Sequence, residues 1–474
     1  QAQGYEYLLI KSEQDLISNL RVQLEKLNDY QFTNNEWKRF FTQYLANANE
    51  GIEEKTHTIQ EDYIKNLMRD NGETKNICLI DKQNIHNNFV QVLNQYETEA
   101  GQRTNRYDVT VLVNGLPLVH IELKRRGVNI KEAFDQIGRY QRESFWAGCG
   151  LFEYVQIFVI SNGTYTKYYS NTTRNQHIKE NFGRNRKSSS QKKTSNSYEF
   201  TSWWADAQNR PITDLQGFAK TFFAKHSLLN LLTKYCVFTS DKLLLAMRPY
   251  QIVATEKILG RINQSNNYKT YGKIEGGGYI WHTTGSGKTI TGIATALELG
   301  YKTIWLTHKV ELLEQTYEAF KNLTGVSVCR YSGGNKEDYK GKQVIIATYQ
   351  SLLKNTEMLE YINKNFDTMV VDECHHTPSN YFLKAVNELY KVKNIIGLTA
   401  TPIRKDGLQP VMLFHVGSVL HKMNRTQMEQ HLVFLKVEYH ILRYNYYGMS
   451  TNEMSYVKTV NDLVRQEERM DYVV

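Results

Sequence analysis

One stretch constrains the fold more than any other: the run GYIWHTTGSGKTITG at 278–292. It reads as an apolar strand, a glycine-containing loop and the start of a helix. Gly285 and Gly287, with Ser286 between them, let backbone N–H groups close around phosphate oxygens. The helix that follows points the positive end of its dipole at the same place. Lys288 is set to reach the β- and γ-phosphates, and the Thr289 hydroxyl to ligate Mg2+. The full pattern GxxxxGK[ST] begins with glycine where this chain has His282. Loops of this kind lie at the carboxyl ends of strands in open parallel sheets. The surrounding sequence supplies such strands: short apolar runs at 278–281, 303–307, 344–348, 368–371 and 395–398 alternate with helical stretches. Runs that are apolar on both faces indicate buried parallel strands with helices on either side.

A second acidic element, TMVVDECHH at 368–376, ends one of these runs in Asp372-Glu373. Two carboxylates at a strand end can simply cap a helix. Downstream of a phosphate loop they read as a pair in which Asp372 holds Mg2+ and Glu373 polarises the attacking water, since phosphoryl transfer needs a positioned nucleophile. Further elements follow in order: Arg248-Pro249-Tyr250-Gln251, Leu312 and Gln315 in THKVELLEQT, Thr348-Tyr349-Gln350, and LTATP at 398–402. In kind and order the six elements resemble superfamily 2 DNA motors. That resemblance implies ATP as ligand, Gln251 as adenine reader, Thr348–Gln350 as a DNA-backbone contact, and Thr399 and Thr401 as the coupling between nucleotide and DNA.

The segment RYDVTVLVNGLPLVHIELK at 106–124 reads as two strands around Asn114-Gly115. Val109, Val111 and Val113 alternate with other residues, as do Val119, Ile121 and Leu123. A plain two-residue turn would put the two apolar sets on opposite faces. A shared face demands an odd loop, such as 114–116 with a glycine bulge, placing 113 opposite 117. Asp108 then stands opposite Glu122, with Lys124 two residues along on the same face. Such a trio serves Mg2+-dependent phosphodiester hydrolysis, in which the carboxylates hold the metal and Lys124 orients the water or stabilises the phosphorane. The alternative is a half-exposed hairpin with surface charges.

Asp108…Glu122-Leu123-Lys124 resembles the PD-(D/E)xK nucleases, and Gln136 and Tyr140, one helical turn apart, resemble the Q-x-x-x-Y pair of their RecB-like branch. Glu36 is either the supplementary acidic residue of such nucleases or a surface carboxylate. The stretches RTNRYDVTVLVNGLPLVHIELKRRG, FVISNGTYTKYYSN, EFTSWWADAQNRPI and GGGYIWHTTGSGKT are similar to the restriction subunit of type I restriction–modification enzymes. The resemblance covers residues 1–290. It implies an α/β chain with a PD-(D/E)xK nuclease domain at 1–179, a linker and connecting segment at 180–240, a first RecA-like domain at 241–425 and the truncated start of a second at 426–474. It also implies double-stranded DNA, modification and specificity subunits as partners, and cutting away from the recognised site. DECHH and GLTATPIRKDG, in contrast, are more similar to XPB-like superfamily 2 repair helicases, so the chain reads as a mosaic or a divergent member.

Net charge is +9, which fits a polyanionic partner. The five cysteines are scattered and form no CxxC, which points to the reducing cytoplasm. No apolar run approaches the roughly 20 residues that span a bilayer. Residues 180–199, rich in Ser, Asn, Lys and Arg, read as a flexible linker or loop. Residues 1–100 read as mostly helical, 130–145 as a helix and 154–161 as a buried strand. No later motif with the cleft-completing arginines follows, so the chain is expected to be a fragment. Two other readings stay open: a stand-alone repair or defence helicase–nuclease, and an ATP- and DNA-binding module without turnover.

Overall fold

Two β-sheets organise the chain, and the computed structural model describes residues 3–98, 105–172, 197–300, 302–403 and 406–429. The first sheet has six strands: β1 (Glu6–Tyr7), β2 (Val90–Thr98), β3 (Asn105–Val113), β4 (Leu116–Leu123), β5 (Ile157–Ser161) and β6 (Thr166–Ser170), lying side by side in that order. It is mixed: β1–β2 and β4–β5 are parallel and the other pairs antiparallel. The crossover from β4 to β5 carries the helix Lys131–Glu143. β4 is central and buried along its length except at Leu123, which is half-buried.

The β3–β4 register is the one the apolar pattern demands, but its cause differs from the expected three-residue loop. Asn114 and Gly115 have φ of 52° and 83° and form a two-residue turn that pairs Val113 with Leu116. Register then shifts once, because Val111 faces Val119 while Leu112 faces Pro117. Leu118 is the extra residue, and its carbonyl accepts Gln156 N at 2.8 Å on the β5 side. Beyond the bulge Val109 faces Ile121, and the same register brings Asp108 opposite Glu122.

Among the described residues of 1–100 the α-helices, Glu13–Asn28, Asn34–Phe40 and Ile52–Gln60, all lie before residue 61. The hairpin Ile64–Met68/Thr74–Cys78 and β2 follow. The strand Ile64–Met68 alternates exposed and buried positions, but Ile64 and Met68 lie on its open side and Lys65 on its buried side, so polarity does not follow burial and gives no periodic signal.

The second sheet is wholly parallel: β7 (Gly278–His282), β8 (Thr303–Thr307), β9 (Val328–Tyr331), β10 (Val344–Thr348), β11 (Thr368–Asp372), β12 (Asn394–Thr399) and β13 (Ser418–Met423). Their order is β9-β10-β8-β11-β12-β7-β13. The five apolar runs are β7, β8, β10, β11 and β12. Helices cover both faces. Ile304, Leu306 and Val371 lie in the core on one side, Ile280, Trp305 and Val370 in that on the other.

Of the segment expected as linker and connecting segment, 180–240, the described residues from 197 onward are folded. Helices Leu215–Thr221 and Lys225–Thr233 and the hairpin Cys236–Phe238/Leu244–Ala246 carry Phe218, Phe222, Leu228 and Leu232 into the core of the first sheet. Seven apolar side chains at helical spacing in 218–232 need a partner surface, which an extended tether would not give them. The described residues belong to one unit, Gln1–Leu432. The basic stretch at 180–196 and the expected second-domain strands at 433–435 and 439–442 lie outside the described residues. No described helix is long and apolar enough to cross a membrane.

Candidate active sites

The phosphate loop joins β7 to the helix Lys288–Glu298. Gly285 and Gly287 have φ of 81° and 76°, a conformation that side chains disfavour, and the space where a Gly285 Cβ would stand is open. His282, at the position of the missing glycine, ends β7 in ordinary strand backbone, so its side chain is accommodated. That side chain is buried and meets His421 Nδ1 of β13 at 2.6 Å through Nε2. Burial, with His421 and Lys288 adding, holds its pKa well below the usual histidine range, and burial takes His421 down to about 4.

β11 delivers the acidic pair to the same edge. Asp372 is buried and accepts Glu373 N at 3.0 Å. Burial raises its pKa to about 6, with the Glu373 charge adding and Lys288 opposing. Glu373 takes φ of 49°, which turns its carboxylate to within 3.7 Å of Lys288 Nζ. Burial pushes the Glu373 carboxyl up, but His375 and Lys288 outweigh it and the pKa is lowered. His375 Nδ1 stands 3.3 Å from Glu373 Oε2 and 2.9 Å from Thr399 Oγ1, joining the acidic pair to LTATP. Gln251, buried, donates to Ser286 O at 3.2 Å and accepts Arg248 N at 2.9 Å. Tyr250 OH donates to the same carbonyl at 2.9 Å. The RPYQ element therefore braces the phosphate loop. Thr289 is half-buried in the first turn of the helix, while Gln315, Gln350 and Thr401 are exposed. Two left-handed glycines, a helix N-terminus, a lysine and a buried carboxylate are a donor set that fits a nucleoside triphosphate with Mg2+.

The second site lies on the first sheet. Lys124 Nζ donates to Glu122 Oε1 at 3.0 Å and to Gln136 Oε1. Gln136 in turn donates to Tyr140 OH, which donates to Arg106 O at 3.0 Å. Asp108 Oδ2 accepts Leu123 N at 2.8 Å. The structure thus brings all five expected residues together. Asp108, Lys124, Arg125, Asn94 and Gln95 line a cleft open to solvent. Gln95, between the pairs Asn94–Val109 and Tyr96–Tyr107, takes φ of 50° and interrupts the ladder beside Asp108. Burial raises the Asp108 pKa, and the Glu122 charge adds to it against Leu123 N–H and Lys124. Glu122 is fully buried with Oε2 unpartnered. A carboxyl whose charge burial disfavours, beside a buried carboxylate with one oxygen free of hydrogen bonds, fits a divalent cation. Among the described residues no three His, Cys, Asp or Glu side chains group to hold an ion alone. One or two carboxylates plus water and phosphate oxygens is the usual setting of Mg2+.

Glu36 is neither on the surface nor in this site. It is buried, takes Thr33 N at 2.9 Å and Tyr30 OH at 2.9 Å on Oε2, and Asp70 N at 3.0 Å on Oε1. It closes the capping box of its helix with Thr33. Sequence reasoning missed His120, which faces Glu122 from within β4, and His375 and His421. The adjacent HH after DEC was the one available signal for His375.

Residues 1–177 match the family described as "Type I restriction enzyme R protein N terminus", and residues 244–404 that described as "Type III restriction enzyme, res subunit". The chain is 48% identical over 264 residues to the type I restriction enzyme EcoprrI endonuclease subunit of Escherichia coli, covering 56% of this chain and 78% of that one. It is 31% identical over 418 residues to the type I restriction enzyme SauMSSORF170P endonuclease subunit of Staphylococcus aureus strain MSSA476, covering 84% of this chain and 41% of the relative. The chain thus spans under half of that second relative. A Sulfolobus solfataricus SWI2/SNF2 ATPase core in complex with dsDNA aligns with 39% of this chain and 37% of its own at 24% identity, with a TM-score of 0.30. With 48% identity over 78% of the Escherichia coli subunit, the chain belongs to the family of type I restriction enzyme endonuclease subunits.

Proposed function

We propose that this chain is the ATP-driven, DNA-translocating and Mg2+-dependent DNA-cutting subunit of a type I restriction–modification assembly, acting in the cytoplasm beside modification and specificity subunits. One observation carries the reading: a single folded unit holds both the Lys288–Glu373 phosphate site and the Asp108–Glu122–Lys124 constellation. In the first site Lys288 binds the terminal phosphates, Gln251 braces the loop and reads adenine, Thr289 and Asp372 hold Mg2+, and Glu373 orients the attacking water. In the second, Asp108 and Glu122 hold Mg2+, and Lys124, fixed by Gln136 and Tyr140, orients the water or stabilises the phosphorane. Bound there, the cation lowers the pKa of water and offsets charge developing on the phosphate. DNA is gripped mainly through its phosphates, which makes binding salt-sensitive and leaves site reading to a specificity subunit.

The test reconstitutes the chain with modification and specificity subunits and follows cutting of unmodified DNA. Asp108→Ala or Lys124→Ala is expected to abolish cutting with ATP binding intact. Cutting that persists in either variant removes the nuclease assignment. Cutting by the chain alone, with no partner subunit, favours a stand-alone helicase–nuclease instead.

A further inference from the structure

His120 stands two residues before Glu122 on β4, on the same face of the strand, and both are fully buried. Four aromatic rings box the imidazole edge to face: Tyr107 and Phe145 at 5.6 Å, Tyr140 at 6.1 Å and Phe158 at 6.3 Å between centroids. The box fixes the ring plane. Directly across the ladder, Thr110 Oγ1 meets His120 Nδ1 at 3.3 Å. A hydroxyl donating to Nδ1 leaves the ring proton on Nε2. Nε2 then points at Glu122 Oε2, 3.6 Å away, and neither atom has a hydrogen-bond partner. Lys124 holds the other oxygen of the same carboxylate.

A histidine that merely fills the core has no reason to aim its free nitrogen at the one carboxylate oxygen that Lys124 leaves open. The reverse tautomer would set a lone pair against a negative oxygen. Resting on the nuclease reading above, we propose that His120 is a positioning residue for Glu122: its Nε2–H faces one carboxylate oxygen while the Lys124 ammonium bonds the other, and together they hold the buried carboxylate in a set orientation toward a divalent cation shared with Asp108. Groups that orient a ligating side chain act on metal affinity, and losing one typically costs about 10–100-fold. His120 therefore governs how tightly the cation is held, and has little effect on the rate once the site is full.

The experiment titrates the full chain with Mn2+, without nucleotide, reading free Mn2+ by its paramagnetic resonance. In parallel, the Mg2+ dependence of DNA cutting is measured in the reconstituted assembly. His120→Phe fills the aromatic box without a donor. It is expected to bind Mn2+ about 10–100-fold more weakly and to raise half-activating Mg2+ by the same factor, with cutting at saturating Mg2+ near that of the parent. His120→Gln, which can accept from Thr110 and donate to Glu122, is expected to restore most of the affinity. Should His120→Phe not fold, His120→Leu carries the same expectation. Parental Mn2+ affinity in the Phe or Leu variant overturns the proposal, as does equal loss in the Gln variant. Asp108→Asn is the reference. If it still cuts, the nuclease reading falls; if it stops cutting while His120→Phe binds Mn2+ normally, the role of His120 alone falls.

Discussion

Lys288 Nζ and Glu373 Oε1 lie 3.7 Å apart at the carboxyl edge of the parallel sheet, although β12 separates the strands that deliver them. On the proposed reading Lys288 serves phosphate binding and Glu373, its pKa lowered by His375 and Lys288, serves hydrolysis. Glu373→Gln is expected to bind ATP normally and to lower DNA-stimulated hydrolysis about 10²–10⁴-fold, the usual worth of a positioned base. Lys288→Ala is expected to lose binding itself. Fluorescent-nucleotide binding and steady-state ATPase assays check both, and hydrolysis by Glu373→Gln close to the parent rate would remove Glu373 from its role.

The His282–His421 pair makes stability depend on acid. His421 titrates near 6.5 when unfolded and at about 4 when folded. Between those values the unfolded chain binds the proton that the folded chain refuses. The contribution is intact above about 6.5, is lost as pH falls toward 4, and changes no further below that. Melting temperature is expected to drop across this window, and His421→Phe is expected to flatten the drop. An unchanged slope in the variant would show that other groups set it.

Glu36 is a structural carboxylate. Three donors converge on it, and removing them from a buried acceptor leaves N–H groups of Thr33 and Asp70 unmet. Glu36→Ala is expected to cost about 2–3 kcal/mol of folding free energy, combining a lost cap and unsatisfied donors. Cutting per folded molecule is expected to stay unchanged. Chemical denaturation and cleavage of the same preparation check the two halves, and a stable variant that cannot cut would return Glu36 to the nuclease site.

Gly115 combines φ of 83° with close approach, since an added Cβ would sit 2.6 Å from Leu20 Cα. Gly115→Ala is expected to destabilise the first sheet by at least about 1–2 kcal/mol from backbone conformation alone. Loss of cutting is expected before loss of nucleotide binding on mild heating. Simultaneous loss of both would mean that the turn is not a local weak point.

The phosphate loop and five of the seven parallel strands were legible because runs such as Thr303–Thr307 and Val344–Thr348 are apolar on both faces. β9 and β13 were not, since residues such as Arg330 and Lys422 break the runs at the sheet edges. The parity of the apolar pattern in 109–123 was enough to infer the face shared by Asp108 and Glu122. It could not locate the bulge, because Leu118 is held by Gln156, on a strand edge far along the chain. His421 and His375 escaped notice for a similar reason: their partners, His282 and Thr399, meet them only through sheet order. The folded segment after 197 was hidden by the polar stretch before it.

The bulge at Leu118 carries a consequence out of proportion to its chemistry. Leu118 touches no phosphate and holds no ion, yet it sets the phase in which everything after it on β4 is displayed. If Leu118 were paired in unbroken register from the Asn114-Gly115 turn, Glu122 would stand opposite Tyr107 and pass, with Lys124, to the face opposite Asp108; by standing outside the ladder Leu118 absorbs the odd residue and keeps the three side chains together. The meeting of Asp108 and Glu122 is thus encoded partly as a count of residues between the turn and the carboxylate, with one leucine set aside from the count.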